Sequence, residues 1–290
     1  MFSKKMLRSA TLVLGVLFAV SIGIGLSGSI AMAEDDGWDQ CGNNDQFTTE
    51  FRLQDCRYFK TIGKNPYFKL IPGFKLVLET PEDAEEREKS VETVLWDTKR
   101  IDLSSQGLGW IKTRVVEERA FEWDEYEEDW VTIEISLNYF AICKQTNAVY
   151  YFGEWSRDCP DGFDENDDCE DESNAGSWEA GVDGARPGLM MAGTPLLGAK
   201  YFQEIAPPDA VDRGQIEEMG LTWPLVDDLE EGEEPDFTGC IKIIDTNPAE
   251  GVCDDEDAKI YCPGVGLVQD QELQLVEYGY KRYPPWCRYR

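Results

Sequence analysis

Apolar and polar residues alternate through most of the chain beyond residue 65, and the pattern is clearest in VTIEISLNYFAI. Val131, Ile133, Ile135, Leu137 and Tyr139 fall on one face of an extended strand, and Thr132, Glu134, Ser136 and Asn138 on the other. The CKQTNA turn and the VYYFGEW run that follows predict a hairpin with its apolar face on the core. Similar patterning predicts strands over 74–80, 90–98, 110–118, 200–205, 240–245, 259–262, 266–270 and 273–279. Only PEDAEEREK and DRGQIEEMG have local helical character, and both are short. Many short strands in hairpin order must bury one face against another layer. The expected fold is all-β, an antiparallel curved sheet or partly closed β-barrel or clam with few short helices.

The first 33 residues break the pattern. Lys4, Lys5 and Arg8 precede an apolar run from Thr11 to Leu26, which ends in Ala31-Met32-Ala33 and a polar EDDGWDQ. That order predicts a signal peptide over 1–33, with an uncleaved anchor as the alternative. Both place later residues outside the cytoplasm, periplasmic or secreted, with no membrane span after signal cleavage. The remainder divides into a disulfide-bridged segment at 34–64, a single β-rich domain at 65–279 and a basic aromatic tail at 280–290.

Charge and cysteine content refine this picture. Fifty-eight acids against 27 bases give a formal net charge of −31, which repels nucleic acid and excludes it as an expected partner. The hydrophobic content of 42% and the nine Trp are enough for a substantial core. Nine cysteines in an exported chain read as a disulfide framework with one thiol left over. Cys41 with Cys56 and Cys159 with Cys169 are local pairings. A hairpin centred near Gly251 sets Cys240 opposite Cys262. Cys143, Cys253 and Cys287 have no evident partner.

Histidine is absent altogether. This removes Ser-His-Asp and Cys-His catalysis, histidine general bases and histidine metal sites in one step. The Gly193–Lys200 stretch fails as a phosphate loop, because it has one residue too many before the lysine and no Ser or Thr after it. No G-x-S-x-G nucleophile elbow occurs.

Four segments in order carry a resemblance: NPYFKLIPG at 65–73, YYFGE at 150–154, GSWEAGVDGARPG at 176–188 and YCPGVGLV at 261–268. With these motifs the chain resembles an uncharacterised family of exported, β-rich bacterial proteins. The resemblance implies a β-rich extracytoplasmic domain and nothing catalytic. The added cysteines, the acidic insertion at 158–173, the N-terminal Cys41–Cys56 segment and the YKRYPPWCRYR tail depart from that pattern.

The long Gly- and Pro-rich segment from 176 to 198 is the candidate binding loop, since long ordered loops often carry function. There Trp178 offers a stacking face, Arg186 a carboxylate grip, and Glu179 and Asp183 polar contacts at the mouth of a barrel. Alternatively Arg186 pairs with a nearby acid and Trp178 packs at the sheet edge. In the acidic insertion, Asp164, Asn166 and Asp168 match the first oxygen positions of an EF-hand, but Cys169 and Ala175 break the motif. A looser calcium site remains open there, and no other cofactor is expected. The reading is an exported, non-catalytic β-domain that binds a small ligand or protein partner. Its alternatives are a carboxylate-dependent hydrolase, for which Glu154, Glu179 and Asp183 are the residues to test, and a calcium-stabilised surface or assembly protein.

Overall fold

The computed structural model describes residues 39–164, 166–169, 172–224, 237–253 and 258–280. The expected signal peptide, Cys287 and the tail beyond Tyr280 lie outside them. The N-terminal strands are β1 (Phe59–Lys60), β2 (Gly63–Asn65), β3 (Phe68–Leu70) and β4 (Phe74–Glu79). Three long strands follow, β5 (Glu88–Leu103), β6 (Gly109–Asp124) and β7 (Asp129–Cys143), then β8 (Val149–Asp158), β9 (Trp178–Glu179) and β10 (Arg186–Met191). The last are β11 (Lys200–Phe202), β12 (Glu204–Ile205), β13 (Arg213–Trp223), β14 (Phe237–Thr246), β15 (Ala258–Cys262), β16 (Gly266–Asp270) and β17 (Leu273–Tyr280).

Thirteen of these strands form one antiparallel sheet in the order β11-β13-β14-β15-β16-β17-β4-β5-β6-β7-β8-β10-β12, nearly closed and barrel-shaped. The two end strands are consecutive in the chain. Lys200–Phe202 pairs with β13, Glu204–Ile205 pairs with β10, and only Gln203 separates them. One segment therefore joins both edges of the sheet, which leaves few unpaired edge groups to solvent. At this seam Gly188 lies so close to the Gln203 carbonyl that a Cβ would stand 2.1 Å from its oxygen. Gly153, at φ +143°, makes a similar allowance where β9 joins β8, with the Trp178 carbonyl 2.5 Å from the position of a Cβ.

Hairpin β2–β3 is separate from the large sheet and packs against it. Phe68 packs on Phe140 of β7 at 5.0 Å between rings, while the Tyr67 hydroxyl donates to the Gly239 carbonyl at 3.0 Å. Asn65, fully buried, donates through Nδ2 to the carbonyls of Asn147 and Ala192, both at 2.9 Å. Arg114 is also buried. Its guanidinium donates to the Thr61 carbonyl at 2.9 Å and to the Trp96 carbonyl at 2.6 Å, filling the β5 bulge between Val94 and Thr98.

Three features differ from expectation. DRGQIEEMG is strand, not helix, because Arg213–Trp223 pairs along β14 and buries Ile216. PEDAEEREK is a turn leading into β5, and among the described residues the helical content is three short 3-10 turns. Alternation in β7 is as expected, but its sides are exchanged. Glu134, Ser136, Asn138 and Phe140 face the barrel interior, while Ile135 lies outside under Cys159 and Phe163 of the acidic insertion.

Disulfides join Cys159 to Cys169 and Cys240 to Cys262, as the spacing predicts. Cys41 and Cys56 do not pair with each other. Cys41 bonds Cys253 and Cys56 bonds Cys143, spanning 212 and 87 residues. The reason is that residues 40–48 run along the barrel instead of forming a loop of their own. Thr48 bridges Tyr201, and buried Arg213 holds Asn43 and Asn44 through two 2.7 Å hydrogen bonds.

Candidate functional site

Alternation sends every second residue of a strand into the barrel, and many of those residues are acids. Glu92, Glu118, Glu134, Glu154, Glu204, Asp212, Asp245 and Asp270 line an interior cavity of about 200 Å³. They come from β5, β6, β7, β8, β12, β14 and β16, with Asp212 just ahead of β13. Lys259 on β15 is the one basic residue in the same wall. Its ammonium is committed to Asp245 at 2.9 Å and Asp270 at 3.5 Å. The other six carboxyl groups form no ion pair among the described residues.

Crowding acids in a confined space disfavours their charge. Burial raises Glu92 to about 8, and repulsion from Glu118 adds to the shift. Burial also raises Glu154 to about 8, against the lowering effect of its Tyr151 hydrogen bond. Glu134 rises to about 7 and Asp212 to about 6, again chiefly through burial. Glu204 is pushed well above the carboxylate range by burial and then by Asp212. For Lys259 burial opposes the charge, but Asp245 and Asp270 outweigh it and hold the ammonium well above its ordinary value.

Several of the acids also have a local hydrogen-bond partner. Glu118 accepts from the Ser90 hydroxyl at 3.0 Å, and Glu204 from Trp178 Nε1 at 3.2 Å. The Tyr151 hydroxyl lies against Asn138 Oδ1 and 3.0 Å from Glu154 Oε2. Tyrosine has one proton for these two acceptors. Donation to Glu154 favours the carboxylate, the lowering effect that burial outweighs.

Aromatic rings form part of the wall, Phe68, Phe140, Tyr151 and Tyr261 among them. Phe140 stacks on Tyr151 at 4.6 Å, and Tyr151 meets Trp178 edge-on at 5.3 Å. Carboxyl groups beside aromatic faces suit an organic cation, attracted by charge and by the ring quadrupoles. A depression of about 380 Å³ on the surface, lined in part by Glu86, Glu88 and Glu272, shares Asp270 with the cavity and extends the negative field outward. Among the described residues, no three acids or cysteines converge closely enough to hold a metal ion.

The candidate loop residues divide between the two sides of the wall. Trp178 is buried and turned inward, where it supports Glu204. Glu179 is on the outer face, 2.6 Å from Lys99. Asp183 sits exposed in a turn at φ +47°, and Arg186 pairs with exposed Glu50 at 3.2 Å. These four side chains do not converge on one site. In the acidic insertion, Asp164 Oδ1 accepts the backbone N–H groups of Asn166 and Asp168 at 2.8 and 2.9 Å. Asp167 grips Arg119 of β6 in a two-point pair at 2.9 and 3.0 Å, so these acids brace the loop and tie it to the sheet.

The four motif segments meet in pairs. The Gly264 N–H of the last donates to the Pro66 carbonyl of the first at 2.7 Å, and Gly153 of the second receives Trp178 of the third. No family model matches this chain, and no curated protein or solved structure is detectably similar to it. Among the described residues no helix is long and apolar enough to cross a membrane.

Proposed function

We propose that this protein is an extracytoplasmic binding protein that takes a small organic cation into its barrel. The observation that carries the reading is the imbalance of eight carboxyl groups against one lysine in a single cavity, with that lysine already paired. A cation entering there finds acids with raised affinity for protons, so it binds by displacing them. The aromatic wall adds cation–π attraction, and the four disulfides support an oxidising compartment. Titration calorimetry with a panel of primary amines at pH 7.5, run in two buffers of different ionisation enthalpy, tests this directly. The expected result is saturable binding with proton release, lost in the Glu154→Gln/Glu204→Gln double variant. Absence of binding by any amine at millimolar concentration overturns it.

A carboxylate-dependent hydrolase acting in the same cavity is the second reading. It is favoured by Glu134 at about 7 and Glu154 at about 8, values at which a carboxyl can serve as a general acid near neutrality. Turnover of a glycan or ester by the wild type, abolished in Glu154→Gln, would establish it. A broad panel with no turnover sinks it.

A further inference from the structure

The acidic cavity continues into a second chamber of different character. Six residues, Phe68, Glu92 and Met190 among them, line both. Beyond the shared wall this chamber is closed by Phe74, Leu76, Val94 and Val265, and its volume of about 40 Å³ suits roughly three water-sized groups. Apart from Glu92 its only charged side chain is Lys69, whose ammonium sits 4.4 Å over the Phe74 ring. The acidic cavity also holds an unused donor. Gln203 is 4% exposed and lines that cavity, and its Nε2 has no hydrogen-bond partner. Its amide lies near enough to Asp245 to favour the charged carboxylate slightly, yet outside hydrogen-bonding geometry. A buried donor left unpaired costs about 1–3 kcal/mol, which an acceptor on a bound molecule recovers.

We infer that the ligand is an amphipathic monoamine carrying an oxygen beside its nitrogen, of the amino-alcohol class. The ammonium lies among the cavity acids, the oxygen accepts from Gln203 Nε2, and a short apolar tail occupies the chamber under Phe68. Lys69 makes the choice between one amine and two. A diamine would bring its second ammonium into the chamber that already contains the lysine, with apolar walls to strengthen the repulsion. Specificity then comes from a repulsive element as well as from an attractive one.

This inference rests on the cation-binding reading, and four probes of matched length separate the two. Norleucinol carries the ammonium, hydroxyl and alkyl tail, while lysinol adds a terminal ammonium. Pentylamine lacks the oxygen and hexane-1,2-diol lacks the charge. Calorimetry at pH 7.5 is expected to show norleucinol binding at least ~10-fold tighter than lysinol, whose second ammonium meets Lys69 in the chamber. Lys69→Met, at a half-exposed position, is expected to bring lysinol to within about threefold of norleucinol, on the like-charge repulsion it removes. Lysinol equal to norleucinol, or a ratio unmoved by Lys69→Met, overturns the tail chamber and leaves cation binding standing. Pentylamine equal to norleucinol overturns the role of Gln203. Hexanediol equal to norleucinol, or no binding by any probe, overturns both readings.

Discussion

Lys259 Nζ lies 2.9 Å from Asp245 Oδ2, on the neighbouring strand of the barrel's inner wall. The lysine also reaches Asp270, so one ammonium neutralises two of the eight cavity carboxylates. Removing it leaves buried negative charge with nothing to offset it. Lys259→Met is expected to lose about 3–5 kcal/mol at pH 8, the usual cost of deleting one partner of a buried pair. The loss should shrink at pH 5, where the remaining acids take up protons. Urea unfolding at the two pH values checks this, and equal losses at both would count against it.

Stability should fall as pH rises. A carboxyl that binds its proton more tightly folded than unfolded stabilises the fold at low pH and gives that up between its two values. For Glu92 and Glu154 the window runs from the ordinary 4.5 to about 8, and Glu134 follows the same course up to about 7. Tm is therefore expected to be highest near pH 5 and lower at pH 8.5, about 2–4 °C for each kcal/mol lost in a chain of this size. Glu92→Gln should raise Tm at pH 8.5 and leave it almost unchanged at pH 5. A flat profile in the wild type would refute the acidic interior.

The seam requires glycine at position 188. A methyl there would meet the Gln203 carbonyl oxygen at 2.1 Å, and backbone on both sides leaves no flexible group to yield. Gly188→Ala is expected to cost about 3 kcal/mol, at the upper end for overpacking. Gly184→Ala, with open space around the Cβ position but φ +88°, should cost about 1 kcal/mol from strain alone. Chemical denaturation of the pair separates contact from conformation.

Non-reducing peptide mapping should recover Cys41 linked to Cys253 and Cys56 linked to Cys143. These bridges close far longer loops than Cys159–Cys169, which spans 10 residues. Chain entropy assigns a loop of 87 residues about 4–5 kcal/mol. The Cys56→Ser/Cys143→Ser variant is accordingly expected to lose more stability than Cys159→Ser/Cys169→Ser. The reverse order would show that the denatured chain is not freed as assumed.

Strand positions were legible because alternation is local. In β7 the sequence sets Ile135 opposite Ser136 whatever lies beyond, and the sheet keeps that opposition. Which face turned inward was not legible, because an acid facing a cavity and an acid facing solvent leave the same mark in one strand. The cavity acids run from Glu92 to Asp270, and no window of sequence contains more than a few of them. One signal was available. Lys259 precedes Ile260, and Asp245 follows Ile243 and Ile244, so each charge sits in a strand beside buried apolar residues. The pairings of Cys41 and Cys56 depended on the path of residues 40–48 across the barrel, a long-range property. DRGQIEEMG misled because local helical preference is weak beside a whole edge of hydrogen bonds to β14.

Strand β17 lies beside β4, at Leu275 opposite Leu78. The last described strand is thus the partner of the first strand in the large sheet. A ribosome working from the N-terminus delivers β4 through β10 long before β17 exists, so β4 waits with one side bare until the final strand arrives. Contacts of such sequence separation slow folding and expose pairing edges meanwhile. A chain shortened before residue 273 would keep its meanders and lose its enclosure, leaving the acid wall open to water.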